Sequence, residues 1–149
     1  MAKQLRTHTD IHASPERVWQ VLTDFAAYPQ WNPFMPQASG SARRGQRLTI
    51  RLQPVGGRAT TFRPTVLEAD PGKQLRWIGR LLVPGLFDGE HSFTIQPLGH
   101  GQVRLVQQEQ FRGLLVPLLA RSLDRRTLPA FEQMNQALKR RAEGEQPQR

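Results

Sequence analysis

The apolar residues of this chain keep one period up to Phe111 and another from Leu114 onward. In the first part they alternate. Leu5, Thr7, Thr9 and Ile11 share a parity, as do Leu48, Ile50 and Leu52, then Phe62, Pro64 and Val66, then Leu75 and Trp77 with Leu81 beyond them. Alternation places such a set on one face of a strand. From Leu114 the spacing becomes three to four, and Leu115, Leu118 or Leu119, Leu123, Phe131, Met134 and Leu138 draw one apolar stripe along a terminal helix. A sheet with one apolar face and a lone helix with a matching stripe each need a cover, and each can cover the other. The expected fold class is α+β: about seven antiparallel strands and a long C-terminal helix, with short helices after the first strand.

Those short helices fall in SPERVWQVLTDFAAYPQWNPFM, Ser14 to Met35. Ser14 is a capping serine, Pro15 takes the first helical position, and Val18, Val21 and Leu22 recur at helical spacing. Tyr28-Pro29 and Asn32-Pro33 then break the helix, which leaves Tyr28 and Trp31 on a proline-stiffened segment. Gly56-Gly57 and Asp70-Pro71-Gly72 mark turns, and Pro84-Gly85 ends a strand. Phe87 to Phe111 reads as a long hairpin about Leu98-Gly99-His100-Gly101. In the terminal helix Pro117 suits the first turn. Pro129 lies inside it and should kink or split it, because its ring removes a hydrogen bond and collides with the preceding turn.

At 149 residues the chain suits one domain, read as residues 1–143, with 144–149 as a flexible tail by composition. Cysteine is absent, which removes disulfide and thiolate chemistry. No apolar run approaches the ~20 residues of a membrane span and the start lacks a secretion signal, so a cytoplasmic protein is the default. The net charge of +9 favours polyanions at long range. Yet the clusters Arg43-Arg44-Arg47, Arg121-Arg125-Arg126 and Lys139-Arg140-Arg141 lack interleaved aromatics, and nucleic acid is not the expected partner. His8, His12 and His100 have no carboxylate at ligand spacing, and no nucleophile elbow, dinucleotide loop or P-loop occurs. Neither a metal nor a nucleotide cofactor is expected.

The hairpin carries the chemistry. Phe87, His91, Phe93 and Ile95 share a parity, as do Val103, Leu105, Gln107, Glu109 and Phe111 on the return strand, and their apolar members turn both sets inward. His91, Gln107 and Glu109 are therefore expected inside, with His91 opposite Glu109 and Phe93 opposite Gln107. A one-residue bulge would undo this by turning Glu109 outward. Burying either charged group alone costs about 1–3 kcal/mol or more. Three readings of the pair stay open: a self-satisfied contact that fixes the sheet's register, a polar anchor for a ligand, and a general acid/base poised by the pairing. Phe62 and Trp77 also face inward, where aromatics are more often core than binding groups.

Taken in order, SPERVWQVLTDFAAYPQWNPF, DPGKQLRW, the hairpin ending in FRGLLVPLL, and FEQMNQALKRRAE resemble the polyketide cyclase/dehydrase-like branch of the START-related helix-grip (SRPBCC) superfamily. The resemblance covers about His12 to Glu143. It implies a seven-stranded curved antiparallel sheet gripping the terminal helix, and a cavity between them closed by the two short helices. Tyr28, Trp31 and Phe34 would then stand at the cavity's mouth or wall. The candidate ligand-binding set is Tyr28, Trp31, Phe34, Phe62, Trp77, Phe87, His91, Phe93, Gln107, Glu109, Phe111 and Leu118.

Superfamily members include lipid carriers, hormone binders and aromatase/cyclases, so the resemblance does not choose among functions. The sequence reading is a module, monomeric or homodimeric, that binds a small, mostly hydrophobic molecule, lipid-like or aromatic. A cofactor-independent cyclase or dehydratase using His91 and Glu109 is the alternative. A protein- or ribosome-interaction module is a further one.

Overall fold

A computed structural model describes residues 2–80 and 83–144. Strand β1 (Ala2–Ile11) leads into helix α1 (Pro15–Thr23), a 3-10 turn (Phe25–Ala27) and the single helical turn α2 (Tyr28–Trp31). Strands β2 (Gln37–Ser39), β3 (Thr49–Leu52), β4 (Thr60–Phe62), β5 (Thr65–Asp70), β6 (Gln74–Arg80), β7 (Asp88–Gly99) and β8 (Gln102–Arg112) follow, then helices α3 (Val116–Ser122) and α4 (Leu128–Ala142). Five strands form an antiparallel sheet in the order β1-β8-β7-β6-β5, and three form a second, β2-β3-β4. This is the α+β helix-grip arrangement of curved sheet and long terminal helix.

The described residues hold eight strands where the alternation predicts about seven. Gln37–Ser39 is a three-residue strand with no apolar alternation of its own. The stretch from Phe62 to Val66, which alternates as one strand, divides into β4 and β5 at Arg63-Pro64. Proline has no N–H for a ladder. Its carbonyl still serves, accepting from Leu48 N (2.8 Å), while Val66 N donates to Gln46 O (2.8 Å). Backbone pairing thus continues from one sheet to the other through residues 45–48 and 64–66. Leu81, and residues 145–149 of the expected tail, lie outside the described residues.

Two further prolines shape the helices. Pro29 occupies the first turn of α2, where its missing N–H costs nothing, so it starts a helical turn instead of ending one. The chain then folds Tyr28 fully inward, its hydroxyl donating to Leu22 O and its ring set edge-on to Phe25 and Trp31. Burial pushes the Tyr28 phenol pKa upward. Pro129 follows a π-helical turn, Leu123–Thr127, in which the Leu128 N–H reaches back five residues to Leu123 O. The wide turn absorbs the proline without splitting the helix. One carbonyl of that turn, Arg126 O, accepts from Val55 N (3.0 Å) in the β3–β4 loop.

The long hairpin turns at His100-Gly101, both with positive φ (55° and 75°), the geometry of a two-residue turn matched to strand twist. From that turn alone His91 would face Gln110. A bulge at Leu98, between Pro97 and Gly99, shifts the register by one and sets His91 opposite Glu109. The irregularity that would have defeated the expected pairing is what produces it.

Candidate functional site

Three rows of side chains cross the inner face from β6 through β7 to β8 and β1. The first is Leu75, Phe93, Gln107 and Thr7; the second Trp77, His91, Glu109 and Leu5; the third Gly79, Gly89, Phe111 and Lys3. Aromatic residues surround His91. Trp77 stacks on it (ring centroids 5.3 Å apart, 23° between planes), and Phe93, Phe131 and Phe34 lie at 4.8, 4.9 and 6.5 Å. Phe34 arrives there because Asn32 Oδ1 accepts from both Phe34 N (3.0 Å) and Met35 N (2.8 Å), reversing the chain across Pro33.

The imidazole has partners at both nitrogens. Nδ1 lies 3.0 Å from Glu109 Oε1 and Nε2 lies 2.9 Å from Gln107 Oε1. Gln107 Nε2 donates to Asn135 Oδ1 (2.7 Å) and to the backbone carbonyl of Phe131 (3.3 Å). Asn135 Nδ2 donates to Thr7 Oγ1 (2.8 Å), and that hydroxyl donates to Gln107 O (3.1 Å). The carbonyl of Phe131 can only accept, so it fixes which end of the Gln107 amide faces it. Gln107 Oε1 therefore faces His91, and His91 Nε2 carries a proton. Two lone pairs would otherwise confront each other between Nδ1 and Oε1, so the His91–Glu109 contact holds one further proton. The network is closed on the side of the core, since amide groups do not relay protons.

A cavity of about 320 Å3 opens beside Glu109. Gly79 and Gly89 pair directly across β6 and β7, and these two inward positions without side chains leave room on the sheet's inner face. A β carbon at Gly89 would collide with Glu109 Oε2, and one at Gly79 would press on the Phe62 ring. Phe34, Phe62, Phe87 and Phe111 line the walls, the last two stacked at 5.4 Å. The β3–β4 hairpin adds Leu52, Pro54, Thr60 and Thr61, and the π-helical turn adds Leu123 and Thr127. His91 and Glu109 form its polar end, with 3% and 14% of their side chains exposed.

Six of the residues expected around a ligand therefore line this space: Phe34, Phe62, Phe87, His91, Glu109 and Phe111. Trp77, Phe93 and Gln107 lie behind it, buried; the Trp77 indole N–H has no partner among the described residues. Tyr28, Trp31 and Leu118 are corrections. Tyr28 is sealed under α1 by its bond to Leu22 O. Trp31 packs on Tyr28 and borders a polar groove with Arg17, Gln20, Asp24, Gln30 and Arg141, which shares no residue with the apolar cavity. Leu118 is 79% exposed. The π-helical turn inserts one residue into the stripe, which rotates the helix before it by roughly 100° relative to a regular count. Gly79, Gly89 and Asn135 escape a reading by apolar pattern, while Thr7 is placed on the inward face of the first strand without a role. Each nevertheless has a signal: glycine at an inward strand position, or a polar residue on an inward face.

The sequence matches the family described as "Polyketide cyclase / dehydrase and lipid transport" over residues 3–143. The chain belongs to that family. Its fold is similar to that of the Zhui aromatase/cyclase from Streptomyces sp. R1128 (TM-score 0.78, 18% identity, covering 96% of this chain and 94% of that one). A START superfamily protein from Mycobacterium smegmatis gives 0.72 at 23% identity, over 94% and 97%. Norcoclaurine synthase from Thalictrum flavum, solved with dopamine and hydroxybenzaldehyde, gives 0.75 at 12% identity, over 99% and 90%. No curated protein matches the sequence significantly. Family and fold together fit a scaffold for hydrophobic ligands.

Proposed function

We propose that the protein binds a small, largely apolar molecule in the cavity beside Glu109, with the His91–Glu109 pair holding the molecule's polar end. One observation carries this reading: an aromatic-walled space of about 320 Å3, within the range of small-molecule sites, ends on a carboxylate whose partner imidazole is held from behind. A pair that served only the sheet's register would gain nothing from two glycines opposite each other beside it. Lipid transport and aromatic cyclisation, named for the family and its structural neighbours, both use molecules of this kind. The test is native mass spectrometry of the purified protein for a co-purifying small molecule, joined to displacement of a fluorescent apolar probe. No bound molecule, and no probe binding that Gly89→Ala weakens, would sink the proposal.

A second reading, cofactor-independent cyclase or dehydratase chemistry, draws on the same geometry. Glu109 presents an oxygen to the cavity while His91 holds a proton at the other, which is what a general base needs. Under this reading Glu109→Gln abolishes turnover and leaves binding within a few-fold; under simple carriage no turnover exists to lose.

A further inference from the structure

Glu109 has two oxygens with different situations. Oε1 is engaged by His91 Nδ1 at 3.0 Å. Oε2 lies over the inner face of Gly89, where a β carbon would stand, and no described residue donates to it. The proton count makes Oε2 an acceptor under either distribution. With imidazolium and carboxylate, both oxygens accept. With neutral imidazole and carboxylic acid, the acid proton lies between Oε1 and Nδ1, and Oε2 again offers only lone pairs. The pair as a whole is electrically neutral in both cases.

We infer that the ligand is an uncharged aromatic hydroxyl compound, a phenol in the general sense, bound with its O–H donating to Glu109 Oε2; this rests on the cavity being a ligand site. The walls set the aromatic body, since Phe34, Phe62, Phe87 and Phe111 offer ring faces and edges. The free lone pair requires a donor. A carboxylate or ether end would place lone pairs against lone pairs, and leaving Oε2 dry and unpaired would cost the desolvation of that oxygen. An ammonium would bring a full charge to a neutral pair in a largely apolar site, where it finds no net counter-charge. The other polar groups of the wall do not reverse this preference. The hydroxyls of Thr60, Thr61 and Thr127 both donate and accept. Arg80 has the opposite strand parity to Gly79 and pairs with Asp88 (3.8 Å), its side chain 48% exposed, so its charge is spent at the rim.

Four probes with one skeleton separate the possibilities: 2-naphthol, naphthalene, 2-methoxynaphthalene and 2-naphthoate, measured at pH 7 by equilibrium dialysis. The expected result is that naphthol binds about tenfold or more tightly than naphthalene and methoxynaphthalene, as satisfying an acceptor that would otherwise be left dry implies, and that naphthoate binds most weakly. Glu109→Gln sharpens the test, because its amide can give its N–H to His91 and turn its oxygen to the cavity. That variant keeps a naphthol preference reduced to a few-fold and still disfavours naphthoate, because the amide oxygen also offers only lone pairs. The double variant His91→Phe with Glu109→Leu makes naphthol and naphthalene equal. Should the double variant fail to fold, the Glu109→Gln profile decides alone, and a profile unchanged from the parent overturns the inference. Methoxynaphthalene or naphthoate binding the parent as tightly as naphthol also overturns it, while leaving the cavity reading in place. Failure of all four probes to bind overturns both.

Discussion

The inner face of the sheet has a filled end and a hollow end, although the same strands and the same helix make both. At the filled end Leu75, Phe93, Ile95 and Leu105 meet Val18, Leu22, Met134 and Leu138 in one continuous core cluster, all at most 5% exposed. The end of α4 there is latched. Lys139 Nζ donates to Asp10 O (2.6 Å) and pairs with Glu143 (2.8 Å), Glu143 Oε2 accepts from His12 N (2.8 Å), and Arg17 donates to the carbonyls of Arg141 and Ala142. At the hollow end two glycines replace the large side chains, and the π-helical turn stands over the space they leave. If stability is concentrated at the first end, the second is free from close packing. The His91–Gln107–Asn135 network is the wall between them.

The comparison breaks most visibly if equal truncations cost equal stability at both ends. Phe93→Ala removes a fully buried ring and should cost about 3–5 kcal/mol in urea unfolding. Phe62→Ala removes a half-buried ring that borders the cavity, and should cost about 1 kcal/mol or less because no packed space is newly emptied. Similar losses at both would mean that the hollow end is core like the other. Next in size is the wall. Gln107→Leu keeps approximate shape but leaves His91 Nε2–H and Asn135 Oδ1 without partners, a loss of about 1–3 kcal/mol. Ring 15N spectra check the same step, with Nε2 protonated in the parent and released to either tautomer in the variant.

The filled end is also the more legible one. Its residues obey alternation and helical spacing, and burial there rewards hydrophobicity alone, so parity suffices to place Leu75, Phe93, Ile95 and Leu105 on inward faces. The hollow end is made by what is missing. Glycine is silent in an apolar pattern, and Gly79 and Gly89 become informative only when their inward parity is noticed inside strands. The register that aligns His91 with Glu109 depends on a bulge that no pattern in Leu98 announces. Tyr28 and Trp31 mislead for a different reason: a proline can end a helix or begin one, and at Pro29 the burial of Tyr28 against α1 decides for beginning. Leu118 and Leu119 both suit the stripe as spaced, and only the π-helical turn, imposed next to Pro129, settles which one faces water.

Gly89→Ala sharpens the comparison from the hollow side. Its φ lies outside the left-handed region, so alanine can take the strand backbone, and the conflict is with the Glu109 carboxylate, Oε2 above all. The carboxylate must swing away from His91. Stability should fall by about 1–2 kcal/mol, because the buried His91 Nδ1 loses its partner while alanine's better strand propensity offsets part of the loss. Probe binding should fall to background. The opposite result, a large stability loss with binding retained, would place the hollow end among the packed parts of the molecule.

The smallest effect tests the latch. The hydrogen bond from Lys139, then that from the His12 backbone, holds the Glu143 carboxyl below its ordinary pKa of 4.5. A carboxylate depressed in the folded state contributes stability that is present above the unfolded value and lost as pH falls through the folded one. Glu143→Gln should therefore lower the urea midpoint near neutral pH by an amount equivalent to less than about 1 kcal/mol, the usual scale of a partly exposed ion pair. Below the glutamate range the parent carries a protonated carboxyl that the glutamine imitates, and the two midpoints should converge. Because the latch lies at the filled end, probe binding at neutral pH should be identical in parent and variant. A Glu143→Gln protein that lost the probe would show the two ends to be coupled through α4, and the division between them would have to be abandoned.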